Sequence, residues 1–99
     1  MPLTKRQFEL GVDEEGEELM RRIYRLASSN PELAYSLEEI ISMIRVEDSS
    51  TGENQIEKAV GVLVGIGAME GREIGYNDYF AFLQEFDTGT WMSTKYINS

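Results

Sequence analysis

Cysteine and histidine are both missing from the 99-residue chain. Without cysteine there is no disulfide framework and no thiolate metal site, and nothing points to an oxidising compartment. With both soft ligands gone, a zinc or copper centre is excluded, and so are histidine general-base chemistry and a Ser-His-Asp triad. Carboxylate, lysine and tyrosine are what remains for catalysis. Long apolar runs are missing too: nothing approaches the roughly 20 residues of a membrane span, and no apolar stretch follows Lys5 and Arg6 to make a signal peptide. A cytoplasmic location is the resulting expectation. Positive charge is scarce: 9 basic against 18 acidic residues give a net charge of −9, a sign that repels phosphate backbones and anionic lipid alike. Nucleic acid is therefore a disfavoured partner and a membrane is not expected, although the placement of the few cations decides more than their number.

What is present is the composition of an ordinary globular domain, 41% hydrophobic and 27% charged. A chain of this length buries roughly 60 to 70% of its unfolded surface, enough for one core but not for a deep cleft between lobes. The expectation is an extended N-terminal arm over residues 1–12 and one domain over residues 13–99. Asp13 reads as a helix N-cap, with Glu14, Glu15, Glu17 and Glu18 in the first turns and Leu19, Ile23 and Leu26 on one face. Pro31 ends that helix after Ser28-Ser29-Asn30. Ser36 with Glu39 makes a capping box for a second helix from about Leu37 to Arg45, apolar at Leu37, Ile40, Ile41 and Ile44. Ser50 with Glu53 offers another box, for a third helix from about Glu53 to Ile66 that buries Ile56, Ala59, Val60 and Leu63 and ends at Gly67. Met69 to Ile74 and Tyr79 to Phe86, separated by Gly75-Tyr76-Asn77-Asp78, read as a β-hairpin. The spacing of Tyr79, Phe82, Leu83 and Phe86 also fits a fourth helix. Beyond the turn Asp87-Thr88-Gly89-Thr90, the run Trp91 to Ile97 leaves room for one extra C-terminal strand.

The order helix, short extended piece at Leu33-Ala34-Tyr35, helix, helix, hairpin resembles the winged-helix branch of the helix-turn-helix superfamily. Tyr35-Ser36-Leu37-Glu38-Glu39-Ile40 is similar to the entry of that family's second helix. Ile56 through Val60, Leu63, Gly67, Ala68, Met69 and Glu70 are similar to its third helix running into the wing. The resemblance covers about residues 14 to 86 and implies an α+β fold, a three-helix winged-helix core followed by a β-hairpin wing. The loop from Val46 to Gly52 is longer than the family's usual turn between its second and third helices.

The resemblance also implies that the outward face of the third helix meets a partner, in many members a DNA groove. With Ile56, Val60 and Leu63 inward, that face carries Asn54, Lys58, Gly61 and Gly65, with Val62 beside them. Asn54 could read adenine and Lys58 a phosphate, but Glu53 and Glu57 oppose a phosphate. In the wing Arg72 stands between Glu70 and Glu73. Arg21, Arg22 and Arg25 form the one dense basic cluster, read as neutralised by the i,i+4 pairs Glu17–Arg21 and Glu18–Arg22. Gly61 and Gly65 lower helix stability; either they leave a bare surface that a second backbone can approach, most simply a copy of the same chain, or the helix frays there or the loop and hairpin cover them.

Other patterns fail on spacing or context. Read as a calcium loop with Gly52 at its sixth position, Glu47 to Lys58 would end in lysine where a bidentate glutamate is required. Glu14 with Glu18, or Glu70 with Glu73, would sit on solvated faces that cannot separate their pKa values. The glycines follow no strand and lack the lysine of a phosphate loop. The aromatics Tyr76, Tyr79, Phe80, Phe82, Phe86, Trp91 and Tyr96 are read mainly as core, with no basic residues interleaved between Tyr76 and Trp91 for base stacking. The reading is a non-enzymatic interaction or regulatory module, with no cofactor, metal or small-molecule substrate and with a protein or its own copy as partner. The alternative is a dimeric DNA-binding regulator using Lys58, Asn54 and Arg72.

Overall fold

Helix begins nearer the N-terminus than the sequence reading placed it. In the computed structural model, which describes residues 2–94, Lys5–Leu10 form α1, so this part of the expected arm is not extended. Thr4 accepts from the Gln7 backbone N–H while the Gln7 side chain accepts from Thr4 N–H, and Gly11 closes the helix in the left-handed conformation. The Thr4 to Gln7 capping box was legible. A six-residue helix has no room for a repeating apolar stripe, so periodicity was silent there.

The next elements follow their end signals. α2 spans Glu14–Ser29 behind the Asp13 cap. β1, Ala34–Ser36, leads into α3, Leu37–Glu47, through the Ser36 and Glu39 capping box. α4 is Glu53–Gly65, but its expected cap is different. Asp48 captures the Ser50 N–H and hydroxyl, which removes Ser50 from the capping position, and Gln55 accepts instead from Gly52 N–H at 2.9 Å. At the other end Gly67, at φ 86, lets Ala68 N–H reach Leu63 O at 3.0 Å and terminates the helix.

The chain then turns to strand. β2, Met69–Ile74, and β3, Asn77–Phe82, pair antiparallel from Met69↔Phe82 to Ile74↔Asn77 without interruption. The two-residue turn between them has Gly75 at φ 67 and no positive φ at Tyr76, the type II′ pattern that matches strand twist. β1 pairs with the far side of β3, giving the order β1-β3-β2. Of the expected strand Tyr79 to Phe86, the strand reading therefore holds over the helical one as far as Phe82: β3 starts earlier, at Asn77 within the expected turn, and the chain leaves the sheet before Phe86. The C-terminal strand is short: β5, Met92–Ser93, pairs with β4, Phe86–Asp87. The expected strand beyond Thr94 and the core reading of Tyr96 lie outside the described residues.

Leu19, Ile23, Ile40, Ile44, Ile56, Val60 and Leu63 fall in one buried cluster, joined by Met20, Tyr24, Ala27, Ala59, Ala68, Met69, Val12 and Trp91. Leu26 is only half-buried, because the stripe that α2 turns inward passes through Met20, Tyr24 and Ala27 instead. No described helix is long and apolar enough to cross a membrane.

Candidate interaction surface

α4 turns Ile56, Ala59, Val60 and Leu63 into the core, which fixes the direction of everything on its other side. Asn54, Lys58, Gly61 and Gly65 are all exposed and follow one another at helical spacing. A Cβ built on Gly61 or Gly65 meets nothing within 4 Å, so neither loop nor hairpin covers this stripe. Val62 is half-buried and packs against the core, which places it at the margin of the stripe.

Charge around the stripe is mostly negative. Lys58 shares an open groove of about 600 Å³ with Asp13, Glu15, Glu18 and Asp48, and the groove's other cation, Arg22, is held by Glu47 at 2.9 Å. Arg45 pairs with Glu53 at the start of α4, 3.6 Å away, and Arg72 on β2 with Glu70 at 3.3 Å. The α2 arginines divide differently from the sequence reading. Arg21 contacts both Glu17 and Glu18, whereas Arg22 reaches across to Glu47 and the Ile44 carbonyl, so the Glu18–Arg22 pair does not form. Tertiary geometry wins here because Arg22 caps the C-terminal end of α3. The β2–β3 turn carries apolar side chains, with Ile74 59% exposed and Tyr76 wholly exposed. Phe80, Phe82 and Phe86 pack against the core and Trp91 is buried, whereas Tyr76 is wholly exposed and Tyr79 lies outside the core cluster.

A second constellation was not foreseen. Glu17, taken as a surface partner of Arg21, is 3% exposed. Its carboxylate accepts from Arg6 Nε at 2.8 Å, Arg6 Nη2 at 3.3 Å, Gln7 Nε2 at 3.4 Å and Trp91 Nε1 at 3.1 Å, with Arg21 Nη2 at 3.4 Å. The Arg6 hydrogen bond, opposed by burial and aided by Gln7, holds this carboxyl below its ordinary range. Tyr24 adds a second tie: its hydroxyl donates to Gln84 O at 2.9 Å and accepts from Phe86 N–H at 2.8 Å. Burial pushes that phenol up. Trp91 sits edge-on to Tyr24 and adopts φ 57, a left-handed conformation costly for a bulky residue, fixed by its N–H on Asp87 O. With its lone pairs taken by five donor groups, Glu17 clamps α1 and the β4–β5 hairpin onto α2 and does not face a substrate. The missed signal was spacing: Glu17 stands in register with Met20, Tyr24 and Ala27, on the buried stripe of α2.

Among the described residues no group of three or more acidic side chains converges on a point suited to a metal ion. Comparison with known proteins finds no matching family model, no matching curated protein and no matching solved structure.

Proposed function

We propose that this chain is a winged-helix domain acting as a non-enzymatic protein-interaction module, in which α4 and the β2–β3 hairpin present the binding surface. Its strand order β1-β3-β2, with α2, α3 and α4 ahead of the hairpin, supports the winged-helix reading. The observation that carries the choice of partner is the character of the surface. The exposed stripe Asn54, Lys58, Gly61, Gly65 holds one cation beside a groove of four carboxylates, and the hairpin tip offers Ile74 and Tyr76 where a phosphate-binding wing needs lysine or arginine. A duplex would gain too little counterion release from such a surface to be held at physiological salt. A protein can use bare backbone, exposed aromatic and mixed charge together.

The test pairs two measurements. Titration of labelled mixed-sequence duplex at about 0.15 M salt is expected to show no saturable binding at micromolar concentrations. Immobilised chain is expected to retain a protein that Gly65→Gln and Tyr76→Ala, both at open positions, release. Saturable micromolar DNA binding that Lys58→Ala or Arg72→Ala weakens would replace this reading with the DNA-binding one.

A further inference from the structure

β2 has one paired edge and one open edge. The sheet order leaves it on the outside, hydrogen-bonded to β3 alone among the described strands. Because Ile74 and Asn77 close a two-residue turn, they are a hydrogen-bonded pair, and the ladder alternates from there. Ile74, Arg72 and Glu70 therefore spend their backbone groups on β3, while Glu73, Gly71 and Met69 aim theirs away from it. No hydrogen bond from any other described segment reaches those outward groups. Exposed edges are usually blunted by charge, proline, a bulge or brevity, and of these β2 has only charge, of both signs, at Glu70, Arg72 and Glu73. The opposite edge, β1, is only three residues long. β2 runs six residues with unbroken register and no proline, and is exposed from Gly71 to Ile74.

We propose that this edge is where two copies of the chain meet, β2 pairing antiparallel with β2 of the second copy about a two-fold axis at Gly71. This rests on the interaction-module reading and adds a second copy of the chain as a further partner, held at an edge separate from the α4 stripe. The charges select both occupant and register. Centred on Gly71, the outward groups of Gly71 face their own copies, those of Met69 face Glu73, and Glu70 stands opposite Arg72 of the second copy twice over. Centring on Glu70 or on Arg72, the neighbouring registers with correct hydrogen bonding, sets glutamate against glutamate or arginine against arginine. Among the described residues Arg72 has only Glu70, two positions away and partly exposed, at 3.3 Å. Glu70 and Arg72 share a sheet face with their β3 neighbours Ala81 and Tyr79, while the Phe80 ring covers Gly71 from the opposite face. The three-stranded sheets of two copies then join into one continuous sheet across the axis.

Sedimentation equilibrium of the full chain, up to about 1 mM, tests this. The wild type is expected to form dimers. Arg72→Glu, which sets four glutamates across the axis, should raise the dissociation constant roughly tenfold or more, and adding Glu70→Arg to it should restore dimerisation, since the pairs are then complementary with signs exchanged. Glu73→Pro removes one outward N–H and should also weaken the dimer. Should that variant fail to fold by circular dichroism, the exposed charge variants still decide. Gly65→Gln, on the α4 stripe, should leave the dimer intact. A chain monomeric throughout, a dimer indifferent to Arg72→Glu, a double swap that does not restore it, or a dimer abolished by Gly65→Gln would each overturn the proposal. The DNA titration and the retained protein judge the interaction-module reading separately.

Discussion

α2 holds two kinds of structure together by two kinds of force. Through Leu19, Met20, Ile23 and Ala27 it packs on α3, α4 and the sheet in one buried apolar cluster. Through Glu17, Arg21 and Tyr24 it holds α1 and the β4–β5 hairpin by hydrogen bonds and ion pairs. Apolar attachment is additive and tolerant of detail, since each buried methylene contributes on its own. Polar attachment is all-or-none at the level of a residue: a buried carboxylate is stable only while its donors are in place. α1, at six residues, is far too short to persist without that attachment.

The sharpest way to break the comparison is to open the apolar side. Ile40→Ala or Leu63→Ala, both at fully buried positions, should each cost about 2 to 5 kcal/mol. Denaturant midpoints read this directly, and a loss under about 1 kcal/mol at both sites would mean that the packing is not the main support. On the polar side, Glu17→Gln keeps the volume but sets an amide donor against the donors of Arg6, Arg21 and Trp91. A cost of about 1 to 3 kcal/mol is expected, moderated because the Arg6 side chain is 38% exposed and can turn to water. A loss as large as that of Leu63→Ala, with helix content falling in step, would erase the distinction between the two regions.

Acid provides a finer cut. The Glu17 carboxyl is held below its ordinary value of 4.5, chiefly by Arg6. The Ser36 N–H lowers that of Glu39, and the Ser50 hydroxyl lowers that of Asp48. A carboxyl with a lowered folded-state pKa stabilises fully above its unfolded value and loses that contribution as the pH falls through the folded one. Stability from these groups should be level from neutrality down to about pH 5 and decline below about pH 4.5. Glu17→Gln should flatten the decline, and an unchanged acid limb would show that Glu17 does not carry it. The smallest expected effect has the opposite sign. Gly61→Ala fills open space on α4, and should raise stability by about 1 kcal/mol, several degrees in melting temperature. No gain would imply that the outer stripe of α4 is already covered in solution.

The same division governs what was legible in the sequence. Ile40, Ile44, Ile56, Val60 and Leu63 announce their burial by spacing alone, and Asp13, Ser36, Gly67 and Gly75 mark ends and turns by local chemistry. None of those inferences needs knowledge of a distant residue. Glu17 does: its spacing puts it on the buried stripe of α2, but its donors Arg6 and Trp91 lie 11 and 74 positions away, and nothing local names them. Arg22 fails for the same reason, since the nearby Glu18 was the obvious partner and Glu47, 25 positions on, is the one that it meets. The outward stripe Asn54, Lys58, Gly61, Gly65 was legible because a helical wheel needs only the inward residues to locate it, while Val62 fell on the boundary that a wheel resolves poorly.

The position of Trp91 has a spectroscopic consequence. It is the single tryptophan of the chain, and its indole lies between the Glu17 carboxylate and the edge of Tyr24. Its emission therefore watches one junction and is blind to the remainder, whereas far-ultraviolet ellipticity is dominated by the long helices. Closing a loop of this span costs entropy before any contact rewards it, so the junction is expected to be among the last parts to assemble and among the first to open. Emission should then redden at lower denaturant than the helical signal collapses, and the separation of the two curves would measure how independently the two ends of the described chain come loose.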